Sequence, residues 1–175
     1  MRFTLCLLAI ASMTLVVSAQ ARPWKPTPQQ LAQDYSTLVH NKGASGGTVR
    51  LSWLAAPGFS GNLPQLMQKH VVLTLTHTVP SPDGLANYED AGGVQVTDLA
   101  GTALTEVPLN ALPPTLVGLT AQLEATFRQS TTGNAKMKIL AFEPGSVHPC
   151  QKGGLAVTYA GERYTYETPM PGCAQ

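Results

Sequence analysis

Residues 155–168 can fold back on themselves in one register only. Leu155 to Tyr159 and Glu162 to Thr168 flank Ala160-Gly161, a two-residue hairpin turn. That turn sets Tyr159 against Glu162, Val157 against Tyr164 and Leu155 against Tyr166. Leu155, Val157, Tyr159, Tyr164 and Tyr166 then share one face, and Thr158, Arg163, Thr165 and Glu167 the other. A slip of one residue would turn the whole apolar set to water, so pattern and turn support each other. Such a hairpin needs an apolar layer to cover it.

The rest of the chain offers further strands and two helices. Thr48 to Ala55 alternates, with Val49, Leu51, Trp53 and Ala55 on one face. His70 to Val79 alternates more strongly, with Val71, Leu73, Leu75 and Val79 opposite Thr74, Thr76 and Thr78. Val94 to Asp98 is a further strand, and Leu104 to Leu109 returns from an Ala100-Gly101 turn until Pro108 limits it. Ala135 to Phe142 is another strand, with Met137, Ile139 and Ala141 inward and the lysines outward. Leu63 to Lys69 reads as a short helical turn. Pro113-Pro114 opens a longer helix over 113–131, whose stripe is Leu116, Leu119, Leu123 and Phe127. A second helix is expected over 27–41, with Thr27 as N-cap, Pro28 at the first turn and Leu31, Tyr35, Leu38 and Val39 at helical spacing. The expected fold class is α+β: a mainly antiparallel sheet of five to seven strands packed against the helix at 113–131. A β-sandwich with decorating helices is the alternative.

Residues 1–21 read as a secretory signal peptide. Arg2 is a positive start, Leu5 to Val17 an apolar run too short to span a bilayer, and Ala19-Gln20-Ala21 a small-x-small cleavage pattern. Cleavage after Ala21, or alternatively after Ala19, gives an exported chain, and residues 22–175 are expected to be one domain. Removing 21 of 175 residues leaves 154, and Arg2 is the one charge lost, so 10 Lys+Arg stand against 10 Asp+Glu. That balance argues against a nucleic-acid partner. No later apolar run reaches transmembrane length, so no membrane anchor is expected after cleavage. The chain has no Asn-x-Ser/Thr sequon, which fits a bacterial periplasmic or secreted protein.

Cys6 leaves with the leader, and Cys150 and Cys173 remain. In an exported protein an isolated pair reads as a disulfide. Extending the hairpin register places Cys150 opposite Pro171, two residues from Cys173, near enough for a bond of ordinary geometry.

The residues that carry chemistry show no catalytic spacing. His148-Pro149-Cys150 would be a metal pair only with a thiolate at Cys150, which the disulfide removes. His70 and His77 lie an odd number apart on one strand and so point to opposite faces. His77 falls on the apolar face and reads as a satisfied core or rim histidine. There is no Gly-x-Ser-x-Gly elbow and no P-loop. Glu89-Asp90 reads as a solvated loop. No metal or other cofactor is implied. The residues singled out for ligand or partner contact are His148, Tyr159, Arg163 and Tyr166, on or beside the hairpin. The expected function is a non-catalytic exported binding or accessory protein whose partner is another exported or envelope protein. The alternatives are a small exported hydrolase with a dispersed site, and an adhesin or structural subunit that assembles by strand addition.

Overall fold

The computed structural model describes residues 37–41, 47–55, 59–83, 86–90, 92–98, 100–131, 134, 136–150 and 154–166. The leader and most of the expected helix over 27–41 lie outside these residues. Eight strands and two α-helices follow one another as β1 (Thr37–Asn41), β2 (Thr48–Trp53), α1 (Leu63–Lys69), β3 (Val71–Pro80), β4 (Ala86–Glu89), β5 (Gln95–Asp98), α2 (Pro114–Ser130), β6 (Lys138–Phe142), β7 (Leu155–Tyr159) and β8 (Glu162–Thr165). All the pairings are antiparallel, and the fold is α+β.

β3 organises the larger sheet. One edge pairs with β2, Leu73 opposite Trp53 and Leu75 opposite Leu51. The other edge takes two partners in succession, β6 along Val71–Leu75 and β4 along His77–Pro80. β1 extends the sheet beyond β2. The smaller sheet runs β5-β7-β8.

Side-chain parity places the layers. Val49, Leu51, Trp53, Val71, Leu73, Leu75, Leu140 and Phe142 from the larger sheet join Val96, Leu155, Val157, Tyr159, Tyr164 and Tyr166 from the smaller one in a single buried cluster. On the other face of the larger sheet, Val72, Ile139 and Ala141 pack with Met67 of α1, Leu112, and Leu116 of α2. The order is therefore helices, sheet, sheet. Both architectures weighed from the sequence contribute: the helix at Pro114–Ser130 covers one face, and a second sheet covers the other.

The stretch of chain after β5 hydrogen-bonds to both sheets. After β5 the Asp98 carboxylate accepts the Thr102 amide at 2.8 Å, and Gly101, at φ +84, donates to the Asp98 carbonyl. The chain returns beside β5, Leu104 N–H donating to Val96 O, and then crosses to β6, Val107 N–H donating to Ala141 O. Pro108 follows, and Pro114 starts α2 at its first turn, where its missing N–H costs nothing.

Four expectations need correction. Leu104 to Leu109, expected as a strand, makes only an isolated bridge from Glu106 to Phe142. Thr37–Asn41 is a strand, where the spacing of Leu38 and Val39 predicted helix. Pairing along β2 outweighs a weak local periodicity, and Thr37 and Val39 are β-branched. β6 is buried on both faces, because Leu140 and Phe142 meet the second sheet while Ile139 and Ala141 meet the helices. Glu89 ends β4 opposite His77 and does not sit in a loop.

Candidate functional site

The hairpin forms as its pattern predicts, with Tyr159 against Glu162 and Val157 against Tyr164. Ala160 at φ 50 and Gly161 at φ 79 make a turn whose twist matches the strands. Its tyrosines go to the core. Tyr166 stands edge-on to Trp53, ring centres 5.6 Å apart, and its hydroxyl reaches Leu51 O at 3.4 Å. Tyr164 donates to Glu162 Oε2 at 3.1 Å. The hydroxyl of Tyr159 lies 3.0 Å from His77 Nδ1, and the two rings stand perpendicular. Glu89 Oε2 is 3.4 Å from the same nitrogen. His77 is thus a satisfied histidine at the rim of the core, held between a tyrosine of the smaller sheet and a carboxylate of β4.

Burial of the three rings governs their titration. Desolvation pushes the Tyr164 hydroxyl up to about 12, helped by its bond to Glu162. Tyr159 is raised by desolvation and then by the charges of Glu89 and Asp90, and burial raises Tyr166 as well. A group with a raised folded pKa stabilises fully below its unfolded value, and that contribution is lost as pH rises through the folded one. Stability is therefore expected to hold up to about pH 10, the unfolded value, and to fall between there and about 12, the folded value of Tyr164. Tyrosinate absorbance and circular dichroism, followed together through that window, check this. Ionisation of all five tyrosines near pH 10 with the fold intact would contradict it.

Glu89 connects this cluster to a surface cleft of about 390 Å³. The cleft opens where the edge of β3 passes from β6 to β4, the register of β6 ending at Leu75 and that of β4 beginning at His77. Phe127 and Met137 give it an apolar floor, which Leu75 of β3 borders. Glu89, Asp90 and Glu124 bring negative charge, and Arg128, Lys136 and Lys138 positive. Phe127 is set edge-on to Tyr88 of β4, ring centres 5.6 Å apart, which fixes α2 against the strand. Arg128 pairs with Glu124 at 3.2 Å and Lys136 with Asp90 at 3.9 Å. Both pairs are largely exposed, so they contribute little to stability.

The residues singled out from the sequence do not converge on this cleft. Tyr159 touches its back wall through His77 and Glu89, while Tyr166 is buried between the sheets. Arg163 is exposed on the outer face of the hairpin. His148 is exposed, and its Nδ1 accepts the Cys150 amide at 3.1 Å. The Cys150 sulfur is in disulfide linkage, and Cys173 lies outside the described residues. Sequence reading missed Glu89, Asp90, Glu124, Arg128, Lys136 and Lys138 as a group. The pairing of β3 with both β4 and β6 assembles them, and no local motif marks it. No group of three His, Cys, Asp or Glu among the described residues is placed to hold a metal. Comparison with protein-family models, curated proteins and solved structures finds no match to this chain.

Proposed function

We propose that the chain is an exported, non-catalytic binding protein that engages its partner, another exported or envelope protein, at the cleft between α2, β4 and β6. The cleft carries this reading: an open recess with an apolar floor and walls of both signs, in the size range of ligand sites. Its charged groups are held to each other by weak, exposed pairs that a partner can replace. The polar groups of the neighbouring core, His77, Tyr159 and Tyr166, are already engaged internally, which favours a fixed scaffold over a catalytic centre. Export is supported by the leader pattern of residues 1–21 and by the disulfide linkage at Cys150, with Cys173 as the proposed other half. The near-zero charge balance speaks against nucleic acid.

Affinity capture from the native envelope and culture fluid tests the reading, with wild type beside an Arg128→Glu/Lys136→Glu variant. The expected result is one stoichiometric partner on the wild type, lost or strongly reduced on the variant. Equal recovery on both, or none on the wild type, would contradict it.

Strand addition is the second reading. Among the described residues β8 ends the strand order of its sheet, and a strand at a sheet edge can pair with another chain. That reading requires oligomers that grow with concentration.

A further inference from the structure

We propose that the ligand recognised in the cleft carries an ammonium and a carboxylate at the two ends of an apolar spacer, the chemistry of an ω-amino acid or of a C-terminal lysine. The inference rests on the binding reading above and names the ligand of the same site. Neither charge alone suits the cleft. An anion that approaches Arg128 and Lys136 also meets Glu124 and Asp90, and a cation meets the reverse. A dipolar ligand satisfies both sets at once, and a spacer between its ends can lie along Phe127 and Met137.

The resident pairs do not prevent this. Lys136 and Asp90 are separated by 3.9 Å, with 54% and 86% of their side chains exposed. Such a contact is screened and easily exchanged. Replacing it by two ligand contacts keeps every charge paired, and an apolar spacer covers the floor at the same time. A monopolar ligand would break the pair and leave one member without compensation.

Titration of the purified protein with ε-aminocaproate, caproate and hexylamine, by calorimetry or NMR, tests the inference. ε-Aminocaproate is expected to bind, with each monopolar analogue about tenfold weaker, the ratio that one lost charge-assisted contact corresponds to. Lys136→Ala and Asp90→Asn are both at exposed positions and should each weaken ε-aminocaproate to a similar extent. A lysine-terminated peptide compared with its C-terminally amidated form separates the two sources. Preference for the free carboxylate shows that a protein terminus can serve, and binding of ε-aminocaproate alone assigns the site to a small molecule. Equal affinity for all three small compounds, or binding untouched by both substitutions, would overturn the inference. If ε-aminocaproate fails to bind while capture still depends on Arg128 and Lys136, the ligand class is wrong and the binding reading stands. If capture does not depend on them, that reading fails.

Discussion

Gly47→Ala is expected to destabilise the protein by about 3–4 kcal/mol, while Gly61→Ala costs only about 1 kcal/mol. The two glycines share a left-handed backbone, φ +73 at Gly47 and φ +69 at Gly61. Their surroundings differ. A Cβ on Gly47 would collide with the carbonyl of Thr78 and the backbone of Val79, whereas a Cβ on Gly61 meets nothing. Gly47 leads directly into β2, and Thr48 there pairs with Thr78. Relief of the collision must therefore separate β2 from β3 at the point where the larger sheet is held together. The difference between the two variants in denaturant unfolding isolates the close approach from the backbone term. Equal costs would mean that β2 does not enter the sheet beside Thr78.

The second large effect is expected at Leu73. This side chain is completely buried on β3, with Trp53 and Leu140 as its register partners on the two sides. Leu73→Ala should cost about 3–5 kcal/mol, because the lost transfer energy adds to a cavity that two ladders prevent from collapsing. Val72→Ala, one residue away and facing the helices, should cost about 2 kcal/mol for its two lost methyl carbons. Thr76→Ala is half-buried and should stay under about 1 kcal/mol. The three together test whether β3 is covered on both faces. A cheap Val72→Ala beside a costly Leu73→Ala would mean that the helices do not cover that face of β3.

Different parts of this architecture were legible to different degrees. The hairpin register was readable because two independent constraints, the Ala160-Gly161 turn and the alternation around it, select the same pairing. β3 was readable for the same reason, its threonines and aliphatics separating cleanly by parity. β6 was half readable. Lys136 and Lys138 suggest an outward face, yet Leu140 and Phe142 on that face are covered by the second sheet, which parity alone cannot reveal. β4 has four residues with no alternation, so it exists only through its pairing with β3. The strand at Thr37–Asn41 shows a long-range ladder overriding local spacing. The cleft was invisible for a related reason. Its walls come from three segments, around Glu89, Glu124–Arg128 and Lys136–Lys138, brought together only because one strand edge serves two partners.

The proposed export of a chain stapled near its C-terminus is tested most directly by the intact mass of the protein recovered outside the cytoplasm of its native cell. The expected species begins at Arg22, lacks the leader, and weighs two hydrogens less than its reduced form, with no thiol reactive before reduction. A full-length chain retained in the cytoplasm, with Cys150 and Cys173 both open to alkylation, would contradict it.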